Sequence, residues 1–304
     1  MFNDDQPGTL SAVPRIICIG DVHGDLKRVI DLLKSLHIID ENTQWIAEPS
    51  NTIVIQLGDQ IDSVSRGTTK DWETMADTEV ILFMDKLDRI ARKSGGRVLS
   101  IIGNHEMMNV MSDFSYVSSK SMELSGGLQK REHMFRNGGP MAQLLSKRNI
   151  VIKIGNITFC HGGILPEHLD VVGDKIAIIN RIAQKYLRKE PLSPYEATVF
   201  NIAILGNESI LWTRKYFELL ASGKQEELEH IIKEVNKRLQ TKSIVVGHNT
   251  VNKITPAIGG SLWLIDAALS RSYDSKFNEV LEILHDDKPN RPTEFRVIHI
   301  DKHE

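Results

Sequence analysis

The feature that most constrains this chain is a unit that recurs five times, a short apolar run rich in β-branched residues followed by a cluster of Gly, Asp, His or Asn. Arg15–Gly20 (RIICIG) leads into Asp21-Val22-His23-Gly24-Asp25, and Thr52–Leu57 (TIVIQL) leads into Gly58-Asp59-Gln60-Ile61-Asp62. Arg97–Ile102 (RVLSII) precedes Gly103-Asn104-His105-Glu106, Ile157–Cys160 precedes His161-Gly162-Gly163, and Ser243–Val246 precedes Gly247-His248-Asn249. Continuous apolar runs of this length suit strands buried on both faces. Helical patterns lie between some of them. Asp25–Leu36 puts Leu26, Val29, Ile30, Leu33 and Leu36 on one stripe, and Thr78–Lys93 does the same with Val80, Phe83, Met84, Leu87 and Ile90 before Gly95-Gly96. The alternation predicts an α/β fold, a sheet covered by helices with ligands beyond the carboxyl ends of its strands.

The remaining organisation is simpler. The chemistry-bearing clusters run from position 21 to 248 without a break in composition, so residues 1–304 are expected to form one domain. Residues 166–240, helical and polar and closing with an amphipathic Lys224–Gln240, are expected to be a helical insertion beside the core. Val280–His285, a turn at Asp286–Pro292 and Phe295–Ile300 predict a closing hairpin. With 37 Lys+Arg against 40 Asp+Glu, bulk charge gives no support to a nucleic-acid or anionic-membrane binder. No apolar run approaches the ~20 residues that span a bilayer. The polar, acidic start is neither a secretory signal nor a transit peptide. Cys18 and Cys160 sit inside apolar runs and read as buried reduced thiols, which points to a soluble, cytoplasmic protein in a reducing compartment.

The polar clusters together supply Asp21, His23, Asp59, Asn104, His161 and His248. Carboxylates, imidazoles and an amide oxygen, with no thiolate, form a ligand set for manganese, iron or zinc. A lone Asp can bridge two cations, and Asp59 is the natural candidate. Two ions ~3.5–4 Å apart can share a hydroxide and clamp a phosphoryl oxygen during in-line attack. Each cluster alone fits an ordinary βα turn or helix cap; five of them, each after its own strand, do not. His37, His133, His168, His230, His285, His299 and His303 fall in helical, turn or terminal contexts and read as surface or satisfied core histidines. Met107, Met108 and Met111 follow at helical spacing as core filler.

In order and spacing, these five motifs resemble those of the calcineurin-like metallophosphoesterases, and more narrowly the phosphoprotein phosphatase family of Ser/Thr phosphatases. Trp212-Thr213-Arg214 and the spacing of Asp266 through Ser270 are most similar to its Shewanella-like, bacterial-type branch. The resemblance covers about residues 15–272 and implies a two-sheet β-sandwich flanked by helices, with a dinuclear centre at its rim. By position it assigns Asp21, His23 and Asp59 to one divalent ion and Asp59, Asn104, His161 and His248 to the other, manganese being the first expectation and iron or zinc the next. It places His105 as general acid with Asp62 as its carboxylate partner, and Asn104 also beside the substrate phosphate.

The chain departs from that pattern in two places. The usual Gly-Asp-x-x-Asp-Arg-Gly is GDQIDSVSRG, so Ser63-Val64-Ser65 separates Asp62 from Arg66, and a phosphate-binding Arg66 has to loop back. Arg214 is the second candidate clamp, since a guanidinium donates to two phosphoryl oxygens at once. Asn249 stands where the family usually has Thr. The expected function is phosphomonoester hydrolysis by a metal-bound hydroxide with His105 as acid. The expected substrate is phosphoserine or phosphothreonine in a phosphorylated protein, or else a small phosphoester. The alternatives are a dinucleotide polyphosphate hydrolase of the same chemistry and a catalytically silent binding module, against which every ligand position and His105 are intact.

Overall fold

The computed structural model describes residues 5–68, 72–273, 279–285 and 293–300. Three of the apolar runs become neighbouring parallel strands, β2 (Arg15–Ile19), β3 (Ile53–Gln56) and β4 (Arg97–Ser100), paired as Ile16–Ile53 and Ile53–Arg97. Strands β10 (Glu279–Leu284) and β11 (Glu294–His299) extend this sheet antiparallel beyond β2, giving the order β11-β10-β2-β3-β4. They form the expected hairpin, whose turn at 286–292 lies outside the described residues. The other two runs, β6 (Ile157–Cys160) and β7 (Ser243–Val246), pair in parallel within a second sheet. With β1 (Thr9–Leu10), β5 (Val151–Ile154), β8 (Thr255–Ala257) and β9 (Leu262–Leu264), its order is β1-β5-β6-β7-β9-β8.

Period-two alternation then decides what each strand buries. Ile16, Cys18, Ile53, Ile55 and Leu99 point inward against Ile152, Phe159, Val245 and Trp263 of the other sheet. Their neighbours Ile17, Ile19, Val54 and Val98 point outward, beneath α1 (Leu26–Ser35) and α2 (Glu79–Ala91), which contribute Val29, Leu32, Leu33, Val80, Met84 and Leu87. Both helices match their predicted stripes. Asp25 caps α1 by accepting the Arg28 N–H at 3.0 Å, and Gly95, at φ +86°, closes the turn after α2. One central sheet was the expectation from alternation alone. Among the described residues there are two, because the outward residues of each sheet carry a helical layer while the inward ones pack on each other.

Helices α3 (Asn104–Val110), α4 (Ser119–Leu124), α5 (Leu128–Phe135) and α6 (Pro140–Leu145) follow β4. Between 166 and 240 come α7 (Pro166–Asp170), α8 (Ile176–Leu187), α9 (Pro194–Phe200), α10 (Lys215–Ala221) and α11 (Gln225–Leu239). This segment, expected beside the core, supplies the outer cover of the six-stranded sheet. Ile179, Ile182, Tyr216, Leu228 and Ile232 pack in one cluster with Val151, Cys160, Ile244 and Val246. Cys18 and Cys160 are free, buried thiols, and burial pushes both above the ordinary thiol range. Among the described residues no helix is long and apolar enough to cross a membrane.

The sandwich interior sets the spacing of the two sheets, so deleting one of its large side chains tests the architecture. Phe159→Ala is expected to cost about 3–5 kcal/mol in urea unfolding. A loss under about 1 kcal/mol would mean that the sheets are not held together through this layer.

Candidate metal centre

The carboxyl ends of β2, β3 and β4 in one sheet and of β6 and β7 in the other meet at one rim, and the polar clusters are the turns that leave them. These turns contact each other through backbone. Val22 N–H and His23 N–H both donate to the Asp59 carbonyl, at 3.1 and 3.0 Å, and Gly247 N–H donates to the His161 carbonyl at 2.8 Å. His23, Asp59, Asp62 and His248 all have left-handed backbone, with φ of +39°, +52°, +69° and +64°. Such conformations are costly for residues with a Cβ and are held here by the surrounding turns. Two loops touch directly at Gly58 and Gly103. A Cβ on Gly58 would stand 2.6 Å from Gly103 Cα, and one on Gly103 would run into the Asp59 carboxylate.

All six ligand candidates are brought together and buried: Asp21, His23, Asp59, Asn104, His161 and His248. Two groups of donor atoms lie within 4.8 Å of one another, His23–Asp59–His105 and Asp59–His161–His248, and Asp59 belongs to both. Asn104 Oδ1 lies 2.8 Å from His161 Nε2, beside the second group. Asp21 stands slightly apart from the first group, its two oxygens each 3.2 Å from the His248 N–H. Second nitrogens are tied back, which aims the others inward. His23 Nδ1 faces the Ile61 carbonyl at 3.2 Å, His161 Nδ1 the Leu57 carbonyl at 2.6 Å, and His248 Nε2 the Trp212 carbonyl at 3.2 Å.

The buried groups shift one another in opposite directions. Burial pushes the Asp59 carboxyl up, but His161, His105 and His23 outweigh it and hold it well below the usual carboxylate range. Burial also raises Asp21, and the neighbouring Asp266 carboxylate adds to the rise. Burial and the Arg66 charge keep His23 well below the usual imidazole value; burial and His161 take His248 down to about 3. His161 goes the other way. Burial opposes its charge, but Asp59 and Asp21 push it up to about 10. Neutral His23 and His248 and ionised Asp59 are the protonation states that metal ligands need. Carboxylates, imidazoles and an amide oxygen, with Asp59 common to both groups, fit divalent metal ions.

His105 sits at the edge of this centre. Its Nδ1 is 2.7 Å from Asp62 Oδ2 and its Nε2 is 3.7 Å from Asp59 Oδ2. Burial opposes its charge, while Asp59 and Asp62 outweigh burial and raise it above the ordinary imidazole value. Arg66 does return to the site despite the three extra residues. Its Nη1 donates to the carbonyls of Asp62 and Val64, both at 2.9 Å, and its guanidinium lies 5.9 Å from the Tyr116 ring and 5.6 Å from the Tyr273 ring. Its Nη2 is buried with no hydrogen-bond partner among the described residues. Arg214 is exposed on the opposite flank, its Nη1 donating to Asn249 Oδ1 at 2.8 Å.

Several neighbours carry more than the sequence suggested. Glu106 accepts from Gly103 N–H and Asp59 N–H with one oxygen, at 2.8 and 2.9 Å, and from Gln60 N–H with the other at 2.7 Å. Asp77, Asn109, Arg131, Tyr116 and Tyr273 had no signal in spacing, because turns and folding alone bring them near. His168 is a satisfied core histidine between the Leu165 N–H and the Glu208 carbonyl. His37, His133, His230 and His299 are exposed, His285 is half-buried, and His303 lies outside the described residues. Met107 and Met108 are buried as expected, but Met111 is 46% exposed, because α3 ends at Val110 and the chain turns outward there.

A β-sandwich with this rim defines a metallophosphoesterase. The chain belongs to the calcineurin-like phosphoesterases, whose pattern matches residues 14–289. It is 27% identical to Shewanella-like protein phosphatase 2 of Arabidopsis thaliana, over 90% of this chain and 75% of that one. It is also 27% identical to Shewanella-like protein phosphatase 1 of Plasmodium berghei, over 88% of this chain and 71% of that one. A cold-active protein-tyrosine phosphatase of a psychrophilic Shewanella species shares the fold, with a TM-score of 0.74 at 23% identity over 92% of this chain and 79% of that one. The chain is thus a hydrolase of this family, which implies divalent metal ions at the rim.

The raised His161 has a measurable consequence. Raised to about 10, the His161 imidazole is expected to hold a proton at pH 7 in the metal-free protein, and it must lose that proton if it is to ligate a metal. Metal binding to the group that contains His161 is therefore expected to release about one proton from it, so apparent affinity for that group rises about tenfold per pH unit between about 7 and 10. Titration calorimetry in buffers of different ionisation enthalpy reads the proton directly. Identical heats in all buffers would contradict it.

Proposed function

We propose that this protein hydrolyses phosphomonoesters, with phosphoserine and phosphothreonine in proteins as its substrates, using two divalent ions held by Asp21, His23, Asp59, Asn104, His161 and His248. The observation that carries this reading is the buried Asp59 carboxylate shared by two groups of ligand atoms, with the His105–Asp62 pair beside it. When bound, the ions supply a water of lowered pKa as nucleophile and positive charge for the phosphoryl oxygens. Manganese, iron or zinc fits the mixed oxygen and nitrogen donors.

The chain's own groups do the rest. Arg66, with a free Nη2 between two tyrosine rings, and Arg214, held by Asn249, bind phosphoryl oxygens from two sides, with Asn104 beside them. A departing serine or threonine alkoxide is a strong base, so proton donation from His105 Nε2 lowers the barrier. Asp62 holds the His105 Nδ1–H and thereby fixes which nitrogen faces the ester. A second reading, phosphotyrosine as substrate, is favoured by the aromatic mouth. Tyr116 lies edge-on to His105 at 5.0 Å, Tyr273 lies 5.9 Å from His23, and the solved Shewanella enzyme is named a tyrosine phosphatase.

Activity is expected to vanish on chelation and return with divalent metal. Full turnover from protein that elemental analysis shows to be metal-free would refute this. Asp59→Asn should be among the most damaging changes, since it weakens a ligand common to both ions; two retained ions and near-normal turnover would remove Asp59 as the bridge.

The acid makes a separate prediction. His105→Asn is expected to lower kcat by about 10²–10⁴-fold on a phosphoserine peptide with metal content intact. The loss should be much smaller on p-nitrophenyl phosphate, whose leaving group needs little protonation. Equal losses on the two substrates would make His105 a phosphate-positioning group instead.

A further inference from the structure

His105 and Asp62 are the near end of a larger buried network. Asp62 Oδ2 meets His105, while Oδ1 accepts from Asn109 Nδ2 at 2.8 Å and from Arg131 Nη2 at 3.4 Å. Arg131 comes from α5 and is fully buried. Its fork grips Asp77 through Nη1–Oδ1 at 2.8 Å and Nη2–Oδ2 at 2.9 Å, and its Nε donates to Asn109 Oδ1 at 2.8 Å. Asp77 in turn accepts the Asp62 backbone N–H at 2.9 Å, and Asn109 Nδ2 also donates to the His105 carbonyl at 3.0 Å. The Arg131 guanidinium lies 5.0 Å from the Phe135 ring.

We infer that Arg131, acting with Asn109 and Asp77, is the positioning residue of the general acid: it fixes the Asp62 carboxylate so that one oxygen alone faces His105. Three features support this. Asp62 stands in a loop at φ +69°, so no helix or sheet ladder sets its orientation. Its two oxygens have separate partners, and Arg131 and Asn109 can only donate to Oδ1 with these groups, so the carboxylate cannot swing without breaking both contacts. A fully buried Arg–Asp pair is also a poor device for stability, since apolar residues of similar volume do as well or better; fixing a unique geometry is the better use of it. The positioning role rests on the reading of His105 as the acid, and the experiment separates the two.

The test compares kcat on p-nitrophenyl phosphate and on a phosphoserine peptide for the wild type, His105→Asn, Arg131→Lys and Asn109→Leu, with metal content and circular dichroism measured for each. Arg131→Lys keeps the charge but loses the fork. Asn109→Leu removes the closest donor to Oδ1 while leaving the Arg131–Asp77 pair in place, and it carries the comparison if the lysine variant does not fold. Each is expected to lose about tenfold more on the peptide than on the aryl ester, a fraction of the full acid effect, with KM and bound metal unchanged. Equal losses on both substrates, in a folded, metal-loaded variant, would reduce Arg131 to a structural part and overturn the inference. If His105→Asn itself shows equal losses, the acid reading fails first and the positioning role goes with it.

Discussion

One buried carboxylate sets the frame on which the rim is built. Glu106 accepts backbone N–H groups from Gly103 on its own loop and from Asp59 and Gln60 on the loop after the neighbouring strand. Hydrogen bonds to a charged acceptor contribute about 1.5–3 kcal/mol each, and leaving any one of these donors unpaired in the interior costs as much again. The clamp therefore fixes two successive βα turns relative to each other. Burial and the Asp59 charge push the Glu106 carboxyl above its ordinary value, and the buried Arg148, which donates to Gln60 Oε1 at 2.6 Å, works against that rise. Asp59, Asn104 and His105 all branch from these two turns, so their mutual distances follow from Glu106 before any ion or substrate arrives.

On that frame the interior gathers more charge than a sandwich of this size would ordinarily bury. Asp21, Asp59, Asp62 and Asp266 are all nearly inaccessible to solvent, as are His23, His161 and His248. Burial disfavours ionised carboxylates and charged imidazoles alike, and opposite charge at close range or hydrogen bonds to the charged form reverse that. Among these groups His161 pairs with Asp59, 3.2 Å away, and the Asp59 and Asp21 charges together outweigh burial and raise it. His105 differs because its second partner, Asp62, is held by Asn109 and Arg131 and not by the ligand groups. Its charge thus has a source that does not depend on whether Asp59 is engaged elsewhere.

Much of this was legible in the chain. The strands β2, β3, β4, β6 and β7 and the helices α1, α2 and α11 fall within a residue or two of their patterns, because each is buried on a stripe or on both faces. The two-sheet sandwich came from the family resemblance and is what the structure has, but the apolar pattern alone could not divide the strands between the sheets. A run such as RIICI is apolar on both faces whether helices cover both sides or a second sheet covers one. The candidate ligand residues stood out because each lies in a turn that follows a strand. Arg131 and Asp77 did not, since they lie in polar stretches and acquire meaning only when α5 and the turn before α2 meet behind Asp62. The extra residues before Arg66 left its place open, and the loop resolves it by folding back, with Arg66 N–H donating to the Ser272 carbonyl at 2.7 Å.

The rim draws its side chains from both sheets, with Asp21, His23 and Asp59 on one and His161 and His248 on the other. An ion lodged there is a rivet between the two halves of the sandwich, and unfolding must release it. Each site held at a hundredfold excess over its dissociation constant would add about 2.7 kcal/mol to global stability. For a domain whose whole margin is of order ten, a bound ion would then be a large part of what keeps the molecule folded. Withdrawing the metal would then reach the fold as well as the rim.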